Sequence, residues 1–256
     1  MADLRQAIDN DELTLHYQPQ ISIASGEVEA VEALVRWNHP TEGLIFPDRF
    51  IMLAEKTDLI DRLTDWVMRR ALADTPQFVS GISALRVAVN ISARNLSKAG
   101  FASKVIDALA VSEVAPERLV VEVTETALMA DPERAAAALT ELSAAGVHLS
   151  IDDFGVGQTS LSYLSSLPIS ELKIDRMFVT DMKQHYGHAA IVRSIIDLGH
   201  NLGFRVVGEG VEDESVLDEL ALGGCDVAQG YLFARPMAVE GLNDWLIKCR
   251  LPEFVM

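Results

Sequence analysis

The chain has 256 residues, 49% of them hydrophobic, which is enough to bury a sizeable core and is about the length of one α/β barrel. Acidic residues outnumber Lys and Arg by 38 to 21, giving a net charge of −17. That excludes a generic basic nucleic-acid footprint, and an anionic ligand would have to be held by local cations against the long-range field. Cys225 and Cys249 have no metal-ligand spacing, the start Met-Ala-Asp-Leu-Arg has no apolar signal region, and no uncharged apolar run reaches membrane-span length. The expectation is a reduced, cytoplasmic protein with no membrane segment.

The first predicted strand is Leu13–Tyr17 and the second Glu29–Arg36. Alternation along the second puts Glu32, Leu34 and Arg36 on one face and Ala33, Val35 and Trp37 on the other. Strands follow at Leu85–Asn90 and Leu119–Val123. Asp131-Pro132 then sets an N-cap before a proline at the first helical position, and Glu133–Ala145 runs as a helix to Gly146. Val147–Asp152 and Glu171–Ile174 are the next strands. A helix from about Gly187 carries Ile191, Ile195, Ile196, Leu198 and Leu202 at helical spacing and stops at Gly203. Arg205–Gly208 and Asp226–Gly230 complete eight strands. With no linker, low-complexity tract or internal repeat, the pattern predicts one domain over residues 1–256, and eight strands favour a closed barrel over an open sheet.

Polar residues recur where these strands end: Glu32, Asn90, Glu122, the adjacent pair Asp152 and Asp153, and Glu209. Any one of them reads equally well as a surface polar group, but the recurrence does not. Barrel active sites are built at the C-terminal ends of strands. Five carboxylates sharing a pocket cannot all ionise without cations. Hard oxygen donors suit Mg²⁺ or Mn²⁺, and two such ions about 3.5–4 Å apart can clamp the attacking and leaving oxygens of a phosphoryl displacement. Lys173, alone in an apolar strand, reads either as an ion-pair partner for a barrel acid or as an ammonium near the metals. Gln229 is a weak signal by itself. The six histidines show no HxH or HxxxH ligand spacing. Asp153-Phe154-Gly155 spells the kinase metal-binding triplet, but neither a glycine-rich loop nor a His-Arg-Asp catalytic loop precedes it.

Glu32-Ala33-Leu34 with Arg36-Trp37 resembles the signature of the EAL-domain family, the cyclic-di-GMP phosphodiesterases. Supporting matches run from Tyr17-Gln18-Pro19 through Val89-Asn90-Ile91-Ser92, Glu122-Val-Thr-Glu125, Asp152-Asp-Phe-Gly155, Lys173-Ile-Asp175, Glu209-Gly-Val-Glu212 and Gln229-Gly230 to Gly230-Tyr231-Leu232-Phe233. The resemblance implies a modified TIM (β/α)8 barrel with an antiparallel first strand, hydrolysing cyclic di-GMP to linear pGpG. It implies that Glu32, Asn90, Glu122 and Asp152 ligate one Mg²⁺ or Mn²⁺ ion, and that Asp152 bridges to a second held by Asp153 and Glu209. Lys173 then resembles the lysine that positions the catalytic water, with Glu209 also a candidate base. Arg36, Gln18 and Gln229 resemble substrate contacts, and Glu125 the acid that braces the loop after Asp153. Family members often dimerise near that loop, so a homodimer is expected. The chain departs from the family at Val156 and Gln158, where the family commonly has other residues. The alternative reading is a catalytically silent receptor or interaction domain. Silent members are expected to lack ligands, whereas every matched ligand is present. A third reading is a generic barrel enzyme acting on another phosphoester.

Overall fold

The structure, a computed structural model, describes residues 2–78, 85–157, 160–183 and 185–249. Its strands are β1 (Leu13–Ser22), β2 (Val28–His39), β3 (Gly43–Ile45), β4 (Arg86–Ile91), β5 (Leu119–Thr124), β6 (His148–Phe154), β7 (Glu171–Ile174), β8 (Arg205–Glu209) and β9 (Val227–Gln229). The order β1-β9-β8-β7-β6-β5-β4-β2, closed by a β1–β2 pairing, makes an eight-stranded barrel with β3 added outside β2. Neighbours from β2 round to β9 are parallel, while β1 runs antiparallel to both β2 and β9. The expected barrel with a reversed first strand is therefore what the chain forms.

The apolar runs explain the layering. Val31, Ala33, Val35 and Trp37 of β2, Val87 and Val89 of β4, and Leu119, Val121 and Val123 of β5 are buried in one core cluster with the surrounding helices. At roughly 25 cal/mol per Å² of apolar surface, this shared face is what fixes the register of each strand. The reversed β1 is held from outside as well: Tyr17 Oη donates to Asp74 Oδ2 at 2.9 Å, at the end of the helix Leu59–Asp74. The two helices read from the sequence are present at Pro132–Ala144, with Asp131 accepting from the Arg134 N–H, and at Tyr186–Asn201.

Two elements differ from the sequence reading. β1 extends past Tyr17 to Ser22, with Pro19 in register with Val31 inside the strand, where a proline ordinarily argues for an end. The short β3 was not expected. It forms because Gly43, at φ +73°, turns the chain after His39 and pairs Trp37 with Ile45.

Two register shifts re-aim side chains. Between β1 and β2 an extra residue, Glu29, lies between Val28 and Ala30 and reaches Arg205 at 2.5 Å and Arg86 at 3.3 Å, closing the N-terminal end of the barrel. Between β6 and β7, Ile151 pairs with Leu172 but Phe154 with Ile174, so Asp152 and Asp153 together oppose Lys173. Asp153 takes φ +53° there. Adjacent strand residues ordinarily face opposite ways; the bulge and the left-handed residue let both carboxylates serve one site.

Candidate active site

The C-terminal ends of the strands open into a pocket of about 540 Å³, lined among others by Gln18, Glu32, Arg36, Asp152, Asp153, Glu209 and Gln229. Glu122 and Lys173 lie beneath its floor, each with no exposed surface. The Lys173 ammonium sits 2.7 Å from Glu209 Oε1, 3.1 Å from Glu122 Oε1, 3.3 Å from Asp152 Oδ1 and 3.5 Å from Glu32 Oε2. Four carboxylates thus converge on one cation, so Lys173 is an ion-pair partner of barrel acids and a member of the site at once.

The local electrostatics follow from this crowding. Burial and the neighbouring Glu32, Asp152 and Glu209 push Glu122 well above the ordinary carboxylate range, against the pull of Lys173. Burial, with Asp152 and Glu32, pushes Glu209 up to about 8 despite Lys173. Asp153 rises to about 6 through burial, the charge of Asp152 and the adjoining Asp175. Glu32 goes the other way: burial would raise it, but Lys173 and donors from Gln229 and Asn90 together hold it below its usual range. Lys173 is raised because its four carboxylates outweigh the burial that disfavours its charge.

The neutral polar residues orient these acids. Gln229 Nε2 donates to Glu32 Oε2 at 2.6 Å, and Asn90 Nδ2 donates to Glu32 Oε1 at 2.7 Å. Gln229 is itself held by Gln20, which donates to its Oε1 at 3.0 Å, and it donates in turn to Gln18 Oε1 at 3.2 Å. Asn90 stands exposed at the end of β4. Glu125 begins the helix Glu125–Ala130, capped by Thr124, and its Oε2 accepts from the Gly157 N–H at 3.0 Å and the Gly155 N–H at 3.4 Å. A Cβ on Gly157 would come within 2.6 Å of that carboxyl, so any larger residue there would push the Glu125 carboxyl off its present position. Val156 is exposed, and Gln158 lies outside the described residues.

The acids form two overlapping groups. Glu32, Glu122 and Asp152 can each place an oxygen within 4.8 Å of the others, and so can Asp152, Asp153 and Glu209. The residues fit hard divalent cations on two grounds. Every donor is an oxygen. Neither oxygen of the fully buried Glu122 takes a directed hydrogen bond from any described residue, so a group committed to the interior has lone pairs to spare.

Some pocket residues were not singled out from the sequence. Phe46, Pro47 and Asp48 follow the unexpected β3, while Arg176 and Thr180 follow β7. Asp175, Glu212 and Tyr231 also line the pocket and stand within the quoted motifs, the usable signal for them. For Phe46 the only trace is a Pro-Thr-Glu-Gly turn followed by three apolar residues.

A profile of the EAL domain matches residues 1–236. The chain belongs to the EAL domain family. It is 46% identical over 245 residues to the cyclic di-GMP phosphodiesterase NbdA of Pseudomonas aeruginosa, covering 95% of this chain and 31% of that protein. It is 44% identical over 241 residues to the bifunctional diguanylate cyclase/cyclic di-GMP phosphodiesterase MucR of the same organism, covering 94% of this chain and 35% of that one. The EAL chain thus spans about a third of the length of these curated relatives. Its barrel superposes on the PaMucR phosphodiesterase in its c-di-GMP complex with a TM-score of 0.91 at 44% identity, covering 94% of this chain and 98% of that one. Among the described residues, no helix is long and apolar enough to cross a membrane.

Proposed function

We propose that this EAL domain hydrolyses cyclic di-GMP to linear pGpG with the help of two divalent cations, Mg²⁺ or Mn²⁺. The observation that carries the reading is the pair of carboxylate groups sharing Asp152 at the floor of the pocket. The likeness to a phosphodiesterase solved with c-di-GMP supports the choice of substrate. Glu32, Asn90, Glu122 and Asp152 would hold one ion, and Asp152, Asp153 and Glu209 the other. When bound, such ions lower the pKa of water and offset charge on the transferring phosphoryl group.

The chain's own side chains do the rest. Asn90 and Gln229 clamp both oxygens of Glu32 and fix the direction its carboxylate presents. Lys173 supplies a fixed positive charge beneath the pocket, orienting the attacking water or countering charge as it develops. Glu209 lines the pocket and is the side chain we place as the general base for that water. Arg36 uses one N–H on the Val35 carbonyl at 2.9 Å, and no other acceptor meets its fork among the described residues. That planar fork suits a pair of phosphate oxygens, the local cation that a −17 chain needs for an anionic ligand. Exposed Val156 and Leu161 give the loop after Asp153 apolar surface for the homodimer contact we expect there.

Incubation of the purified protein with cyclic di-GMP and Mg²⁺ tests the reading. The expected product is pGpG, lost on chelation and lost in Glu32→Ala with the fold intact by circular dichroism. A wild-type protein that binds cyclic di-GMP yet leaves it uncleaved in Mg²⁺ and Mn²⁺ would establish the silent receptor instead.

A further inference from the structure

Phe46 is half exposed, at 53%, although it lines the pocket and its immediate neighbour Ile45 is buried. Its position is set by the sheet. Trp37 pairs with Ile45 in the antiparallel β2–β3 ribbon, so the next positions outward, Arg36 and Phe46, fall opposite each other and on the other face. The Arg36 guanidinium carbon accordingly stands 5.2 Å from the Phe46 ring centroid, a cation–π contact. Pro47 opens the 3-10 turn directly after it, and the extended backbone of Phe46 caps that turn. The ring is thus held by a strand pair on one side and a proline turn on the other.

A bare phosphate would need only the guanidinium. An aromatic ring kept half open to the pocket beside a phosphate-binding group is suited to a ligand that carries a flat ring next to its phosphate. We propose that Phe46 is a specificity-determining residue: one face of its ring meets Arg36, and the rest of its surface stacks on a base of the nucleotide whose phosphate Arg36 holds. The inference rests on the proposed substrate class and assigns Phe46 to base recognition.

The test compares GMP with ribose 5-phosphate, which has the sugar and phosphate and lacks the base. Binding of both, and of cyclic di-GMP, is measured calorimetrically in wild type, Phe46→Ala and Phe46→Trp, with cyclic-di-GMP turnover followed in parallel. Wild type should prefer GMP. Phe46→Ala should weaken GMP and cyclic di-GMP by about 10- to 100-fold, the range for loss of one base–aromatic stack, and leave ribose 5-phosphate unchanged. Phe46→Trp should retain both guanine ligands, and circular dichroism checks that each variant keeps the wild-type fold. Equal loss on all three ligands would mean that the ring serves only to hold Arg36, and no loss would mean that it does not touch the ligand; either result overturns the proposal. A wild type that leaves cyclic di-GMP intact, while still preferring GMP through Phe46, would retain the stacking site and overturn the substrate reading alone.

Discussion

Glu122→Gln separates metal binding from folding. In the metal-free protein, burial and the crowd of Glu32, Asp152 and Glu209 hold Glu122 well above the usual carboxylate range, which favours its protonated form. Glutamine matches that protonated form in size, and the metal-free stability should change by less than about 1 kcal/mol. The loss should appear with metal present. Disturbing a residue that only supports a metal ligand costs about 10–100-fold in affinity, and removing a ligand should cost no less. At a Mg²⁺ concentration near 100 times the wild-type dissociation constant, wild type gains about 2.7 kcal/mol, whereas a variant weakened about 100-fold gains about 0.4 kcal/mol. For a chain of this size, each kcal/mol moves the melting temperature by about 2–4 °C, so the metal shift should fall from about 5–11 °C to about 1–2 °C. Differential scanning fluorimetry across a Mg²⁺ titration reads both quantities. A variant with the full wild-type shift would remove Glu122 from the ligand set, and one that already melts early without metal would make its role structural.

Arg36→Ala should weaken cyclic-di-GMP affinity with kcat less affected, whereas Lys173→Ala should lower kcat by about 100-fold or more with affinity comparatively preserved; a Lys173 variant that loses affinity alone would make the lysine a substrate clamp. Ca²⁺, with its longer bonds and larger ligand number, should permit binding and suppress cleavage, and equal turnover in Ca²⁺ and Mg²⁺ would count against a close two-ion geometry. The metal-free protein should lose stability as pH rises. Glu209 at about 8 and Asp153 at about 6 are both raised, so the folded state binds the extra protons. Their contribution is whole below the ordinary carboxylate range and is lost on passing about pH 6 and then about pH 8. Mg²⁺ competes with those protons and should therefore raise the melting temperature more at pH 8.5 than at pH 5.5; a metal shift independent of pH would show that these carboxyls are not its ligands.

The barrel was legible because each β-branched run is bounded by turn residues and separated from the next by a helical period. The reversal of β1 was not legible in that pattern, since a period of two is the same in either direction; it came from the resemblance. β3 escaped notice because three residues carry no period. The acids were legible as polar ends to apolar strands, and Lys173 as a cation where none is otherwise tolerated. Their convergence was not, because it depends on register: the bulge opposite Lys173 turns Asp153 towards the same pocket as Asp152, and no local sequence rule states this. Phe46 and Arg176 reach the pocket from separate connections and meet it only through closure of the barrel. Gln229 carried little signal alone, yet its 2.6 Å bond to Glu32 makes it the support of a candidate ligand.

Anomalous scattering from crystals of the purified protein grown with Mn²⁺ tests the central claim most directly. The two carboxylate groups sharing Asp152 call for two manganese peaks about 3.5–4 Å apart, one against Glu32 and Glu122 and the other against Asp153 and Glu209, with Asp152 between them. Glu122→Gln should lose the first peak. No peak at saturating Mn²⁺, or peaks placed away from Asp152, would contradict the two-ion site.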